Sequence, residues 1–198
     1  MKIQLVIAAT LLYGLLLGVI HYLHVSFVPV NVVFYAAIGD AAIASIAAGT
    51  VLFFHSSFRP LGGLEKWQLL VIWLLAGYGF AISVPTVIDR SLSFYILEKL
   101  QQRGGRIKQD KFEEVFIREY LPEHRLMEVR LTEQLQSGTI AIENGCVRLT
   151  EKGNRVASFG RVYRQNFLPK KRLLMGTYTD ALTDPFRHSE NIPAYQCK

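Results

Sequence analysis

The sequence predicts an α-helical membrane protein of three transmembrane helices that continues into a small α+β soluble domain. Three observations carry this. Residues 1–88 are almost entirely apolar, whereas residues 89–198 have the mixed charge of an ordinary globular sequence, so the 51% hydrophobic fraction of the whole is an average of two unlike halves. Three apolar blocks, 3–25, 31–54 and 68–88, are each close to the ~20 residues that a helix needs to cross ~30 Å of hydrocarbon. In the second half, helical spacing gives way to two short alternating runs around Asn144-Gly145, a sharp hairpin signal.

The first block follows Lys2 and has the look of a signal sequence at its start. It runs past signal-peptide length, and no A-x-A-like site follows it, so it is read as a retained first span. The expected organisation is a transmembrane region at 1–89, a soluble domain at 90–175 and a tail at 176–198. Pro85 should kink or end the regular part of the third span. Trp67, Trp73, Tyr22 and Tyr35 are interface or packing aromatics.

Charge sets the expected orientation. Lys2, Arg59 and Lys66 fall on one side of three spans. Arg90, Lys99, Arg103, Arg106 and Lys108 fall on the other. Lysine and arginine concentrate on the cytoplasmic side, which puts the soluble domain in the cytoplasm of a bacterial-style inner membrane.

Asp40 is the one carboxylate in the second block. Charge at bilayer depth is costly, so an intramembrane acid is a candidate functional residue. Three roles are open to it: a proton or cation site in a transport path, a contact to a polar group of a lipid-linked substrate or partner helix, or a protonated packing group bonded to a tyrosine or serine. The same block is rich in Ala, Gly and Ser, which let helix backbones approach closely. It is therefore expected to be the central helix or an oligomer interface, with Gly14, Gly18, Gly77 and Gly79 in the flanking spans serving the same close packing. His21 and His24 share one helical face at i, i+3. Without a third ligand close in sequence they are read as interfacial histidines, and no metal or other cofactor is expected.

The soluble half begins with an amphipathic stretch at 91–102 that Gly104 and Gly105 should stop. A second helix is expected at 109–121 with Asp110 as its cap, and a third at 123–136. The hairpin around Asn144-Gly145 follows. Leu149-Thr150-Glu151-Lys152-Gly153 then opens a further helix, with Thr150 as its N-cap. Three helices, a tight hairpin and L-T-E-K-G-x-x-V-A together resemble the winged-helix superfamily over residues 91–160. The resemblance implies a fold and leaves the partner open. As a DNA reader, the third helix would offer Arg125 and Arg130 against Glu123, Glu128 and Glu133. Since phosphate neutralisation by basic side chains supplies most non-specific DNA affinity, Arg125 and Arg130 are assigned to a protein partner.

Residues 155–172 contain Arg155, Arg161, Arg164, Lys170, Lys171 and Arg172 and no acid. Phe159, Tyr163 and Phe167 share one face there, and Pro169 should end the helix. A basic amphipathic helix suits a membrane surface, with Arg161, Arg164, Lys170, Lys171 and Arg172 as lipid-surface residues. The other reading is that the aromatics complete the domain core. Cys146 and Cys197 are not in a C-x-x-C; Cys146 is read as a small core residue, and a disulfide between the two would need an oxidising compartment and is not expected. P-loop, Rossmann, G-x-S-x-G and H-E-x-x-H patterns are absent from the sequence. The expected role is a non-catalytic, membrane-anchored adaptor or accessory subunit that binds a protein partner, in a setting such as a cell-envelope or polysaccharide pathway. The expected partners are membrane lipids and a protein or a second copy through the second span, not nucleic acid. The rival roles are a membrane-bound transcription regulator and a lipid-substrate or transport component using Asp40.

Overall fold

The computed structural model describes residues 2–189 and Cys197. The chain divides into two compact units, Met1–Leu126 and Met127–Lys198. The division falls between the second and third helices of the stretch that resembles a winged helix.

The first unit contains three helices long and apolar enough to cross a membrane: α1 (Lys2–Phe27), α2 (Val33–Phe54) and α3 (Gly63–Arg90). α2 is the central one and packs against both neighbours. Its buried face is Ala37, Asp40, Ala41, Ala44, Ser45, Ala48, Gly49 and Leu52. These recur at three- and four-residue spacing and are mostly small, so α1 and α3 come close on either side. The small-residue face is thus occupied within the chain. Of the flanking glycines, only Gly77 is at such a contact. A methyl group there would lie 2.5 Å from the Tyr13 hydroxyl and 2.6 Å from Ala41 Cβ, whereas Gly14, Gly18 and Gly79 meet nothing within 4 Å.

Aromatics divide by role. Trp73 is fully buried, stacks on Tyr13 with ring centroids 5.3 Å apart, and accepts the Tyr13 hydroxyl on its carbonyl at 2.8 Å. Trp67, Tyr22 and Tyr35 are exposed on the helix surfaces. Lys2 pairs with Glu65 at 2.9 Å, tying the start of α1 to the start of α3. Glu65 also accepts the Gly62 N–H at 2.6 Å and so caps α3. As expected, the regular part of α3 stops ahead of Pro85, at Ala81. The helix widens into a π-turn at Ile82–Thr86 and continues to Arg90. Proline lacks the N–H and crowds the carbonyl four residues back, and a wider turn relieves both.

Helix α4 (Leu92–Gln102) follows, with the Ser91 hydroxyl accepting the Phe94 N–H. Gly104 and Gly105 end it at φ values of 73° and 87°. The next helix, α5, comprises Phe112–Val115, a π-turn at Phe116–Tyr120, and Leu121–Glu123. Asp110 does not cap it. That residue lies in a 3₁₀ turn, Gln109–Lys111, and Lys111 occupies the cap position without a side-chain bond.

The second unit holds α6 (Leu126–Ser137), the hairpin β1 (Ile140–Glu143) and β2 (Cys146–Leu149), helix α7 (Glu151–Phe167), and a second hairpin, β3 (Arg172–Leu174) and β4 (Thr177–Thr179). In the first hairpin Ile140 faces Leu149 and Glu143 faces Cys146. Its turn has Asn144 at φ 52° and Gly145 at φ 75°, the left-handed pair that an Asn-Gly turn of the primed type requires. The second hairpin was not foreseen. It turns at Met175 and Gly176, and β-branched Thr177 and Thr179 were its sequence signal. Most of the expected tail beyond Ser189, including Pro193, lies outside the described residues.

The expectation of unpaired cysteines is not met. Cys146 and Cys197 form a disulfide with Cα atoms 6.0 Å apart, a separation that suits the bond. It ties the end of the chain to β2. By the chain-entropy rule, closing a loop of this length disfavours the unfolded state by about 4 kcal/mol.

Candidate functional site

Asp40 is not a lone acid. It sits in the first half of α2, about two turns from the loop that joins α1 and α2. His21 and His24 lie in the last two turns of α1. The antiparallel packing of the two helices brings these residues together. His21 Nδ1 is 2.8 Å from one carboxylate oxygen, and His24 Nδ1 is 2.5 Å from the other. Asp40 is 1% exposed, while the His21 and His24 side chains are 19% and 28% exposed. From α3, the Phe80 ring meets His21 edge-on with centroids 5.3 Å apart. α1 and α2 therefore supply one polar cluster inside an apolar bundle, and α3 packs an aromatic ring against it.

The geometry corrects two expectations. The histidines are not merely interfacial, and the partners of Asp40 are imidazoles and not a tyrosine or serine. The i, i+3 spacing of His21 and His24 was the available signal. What sequence spacing leaves open is which helix crosses which, and therefore that an acid sixteen to nineteen residues later faces both rings.

Chemically, the carboxylate accepts from both Nδ1 atoms, so each ring presents Nε2 on its far edge. A carboxylate on Nδ1 fixes the tautomer and the orientation of the ring. Here both Asp40 oxygens are already engaged. Among the described residues, no group of three or more His, Cys, Asp and Glu side chains is arranged to hold a metal ion. The arrangement serves as a polar bridge between α1 and α2, in a medium where unpaired polar groups cost several kcal/mol.

A second cluster lies outside the membrane helices. Lys99 on α4 is buried and reaches Glu123 at 2.8 Å and Glu119 at 3.1 Å on α5. Tyr95 donates to Glu123 at 2.9 Å, and Arg103 pairs with Glu119 at 2.7 Å. Tyr95, Lys99 and Glu123, with Glu98, Gln102 and His124, border an open cleft of about 340 Å³. The carboxylate bonds, Glu123 first, push the Lys99 ammonium above its usual range. The Lys99 bond in turn holds Glu119 and Glu123 below theirs. The sequence expectation had placed Glu123 on the third helix. It belongs instead to α5 and to this ion-pair network.

The signs fix a pH window. Carboxylates with lowered folded pKa stabilise above their ordinary value of 4.5, and the effect is lost as pH falls through the lower folded value. A lysine with raised pKa stabilises below 10.5, and that effect is lost as pH rises through the folded value. The α4–α5 pair is therefore expected to loosen below about pH 4.5. Near-ultraviolet circular dichroism of the full chain should show Tyr95 and Tyr120 losing their fixed surroundings on acidification. Lys99→Met should weaken that dependence, since the Arg103 contact to Glu119 and the Tyr95 bond to Glu123 remain. An acid transition that is the same in the variant would place its cause elsewhere.

The remaining predicted residues do not converge. Arg125 sits at φ 44° between α5 and α6, and Arg130 pairs with Glu133 at 2.9 Å along α6. On α7, Arg161 is exposed and Arg164 lies over the Phe186 ring at 6.0 Å. The Lys170 ammonium bonds the Gln165 carbonyl, Lys171 is exposed, and Arg172 opens β3. Comparison of the chain with protein-family models, curated proteins and solved structures finds no match.

Proposed function

We propose that this chain is a non-catalytic, membrane-anchored accessory subunit whose soluble half holds a protein partner at the membrane. The observation that carries the reading is the occupation of Asp40. Both its oxygens are bonded to histidines of the same chain and it is buried, so the one intramembrane acid of α2 is used to join α1 to α2. A transport path or a lipid-linked substrate would need that carboxylate open to an incoming group. Apolar surface on the soluble half supports a partner. A mostly apolar cleft of about 260 Å³ is lined by Leu92, Tyr95, Ile96, Phe112, Val115 and Phe116 together with Glu113. Leu97, Ile117, Met127 and Val129 are exposed nearby in sequence.

Element order over residues 91–160 supports a winged-helix-like reading of the soluble half: helix, helix, helix, hairpin, helix. So does Gly153, which lies against the backbone at the base of the hairpin. A protein partner fits better than DNA, because Arg130 is paired with Glu133.

Mild-detergent affinity purification of the full chain tests this. A stoichiometric partner should be recovered with the native chain and with Asp40→Asn in proportion to the folded protein. Recovery of the chain alone would overturn the adaptor reading. A fully folded Asp40→Asn that loses function in cells would transfer the role to the carboxylate itself.

Orientation is part of the proposal, with the soluble half cytoplasmic on the charge count. The Cys146–Cys197 bond bears on it, because disulfides persist in oxidising compartments. In a cytoplasmic domain both thiols should be reduced in cells, shielded from a membrane-impermeant alkylating reagent, and should pair during purification in air. A bond already closed in cells quenched with acid would reverse the orientation.

A further inference from the structure

Helix α7 presents an uncovered apolar stripe. Val156, Phe159, Val162, Tyr163 and Phe167 are all exposed, Phe159 and Phe167 by 69% and 71%. The rings form a ladder: Phe159 to Tyr163 is 6.0 Å between centroids, and Tyr163 to Phe167 is 5.3 Å. The aromatics therefore do not complete a domain core, which was one of the two expectations for this stretch. At about 100° per residue, Val156, Phe159, Tyr163 and Phe167 fall within one quarter of the helix circumference. Arg155 and Arg164 flank that arc, and Arg161 lies opposite it. Lys170, Lys171 and Arg172 follow directly, and residues 155–172 contain no carboxylate.

We infer that α7 docks on the anionic surface of the bilayer that the same chain spans. Charge complementarity selects this occupant. A stretch of six cations without an acid suits a phosphate-rich surface, and each Lys or Arg held there adds to the attraction. The apolar stripe enters the headgroup–acyl boundary while the flanking arginines extend their stems along it and reach phosphate. α1 to α3 anchor the chain, so a helix of modest intrinsic affinity is held at high effective concentration near the membrane. Docking goes beyond the adaptor role and does not depend on it.

The test uses the full chain in lipid nanodiscs, with a photo-crosslinking amino acid in place of Phe159. Discs of phosphatidylcholine alone are compared with discs that also contain phosphatidylglycerol. Lipid adducts should form in the anionic discs. They should fall at least about tenfold in the neutral discs, and equally in a variant carrying Arg155→Gln, Arg164→Gln and Lys171→Gln. Adducts to a second copy of the chain, equal lipid adducts in both discs, or no adducts at all would each overturn the inference. If the crosslinker at Phe159 disturbs folding, the equally exposed Phe167 position gives the same readout.

Discussion

Asp40→Ala is expected to destabilise the membrane half by about 1–3 kcal/mol for each of the two imidazole N–H groups it leaves without an acceptor. The variant removes the acceptor for two imidazoles at once. His21 and His24 would then hold their Nδ1 groups against apolar side chains, with Phe80 edge-on to one ring. Asp40→Asn is expected to cost less, about 1–2 kcal/mol, because one amide oxygen still accepts a bond while the amide nitrogen forces one histidine to change tautomer. His24→Ala alone should fall between these. Thermal unfolding in a mild detergent, followed by the fluorescence of buried Trp73, measures the series. The cluster makes a sharper prediction for the double variant. Once Asp40 is alanine, removing His24 as well should add little or even restore stability, since an unpaired imidazole leaves the bilayer interior. Strictly additive losses, or an Asp40→Ala variant within about 0.5 kcal/mol of the native chain, would show that the bridge contributes nothing.

What the sequence disclosed follows from the range of the interactions involved. The three spans were legible because a membrane helix is specified by its own residues: each backbone group is satisfied within the helix and length follows from bilayer thickness. The central place of α2 was legible for a similar reason, since a run of Ala, Gly and Ser has few uses in hydrocarbon except close packing. The first hairpin and the Thr150 cap were readable from two and four adjacent residues. The His21–Asp40–His24 cluster was not. Its members are 16 and 19 residues apart across a helix reversal, and their meeting depends on how α1 and α2 are rotated about their axes, which no local rule fixes. Lys99 with Glu119 and Glu123 was hidden in the same way, separated by a loop and by a π-turn that shifts the face of α5. With two cysteines only one pairing is possible, but cysteine counting cannot show that Cys197 lies beside β2. The small residues of the flanking helices misled in the other direction. Gly14, Gly18 and Gly79 have the composition of packing positions but face open space, and only Gly77 lies at a three-helix contact.

Two glycines on one helix should respond to the same substitution with opposite signs. Gly153 is in the first turn of α7, over the base of the hairpin. A methyl group there would fall 2.0 Å from the Thr139 carbonyl oxygen and 2.8 Å from Leu149 Cδ1. The neighbouring bonds leave little room to yield. The Thr150 N–H donates to the Thr139 carbonyl at 3.1 Å, the Thr150 hydroxyl approaches the carbonyls of Gly138 and Thr139 at 2.9 and 3.0 Å, and it accepts the Gly153 N–H at 3.0 Å. Gly153→Ala must push the start of α7 off this backbone, at a cost of about 1–3 kcal/mol from overpacking and about 1 kcal/mol from the lost cap. Alanine returns up to about 1 kcal/mol of helix propensity, so a net loss remains. Gly160, two turns along the same helix, meets nothing within 4 Å. There the propensity term acts alone, and Gly160→Ala should stabilise α7 by up to about 1 kcal/mol. Amide exchange over residues 139–165 of the full chain reads both variants. Exchange should accelerate in the first and slow in the second. If Gly153→Ala slows exchange as Gly160→Ala does, the hairpin and α7 are not in contact at Gly153. The glycine of the L-T-E-K-G run would then need a different explanation from the one its geometry supplies: a position where the backbone of another segment comes too close for any side chain.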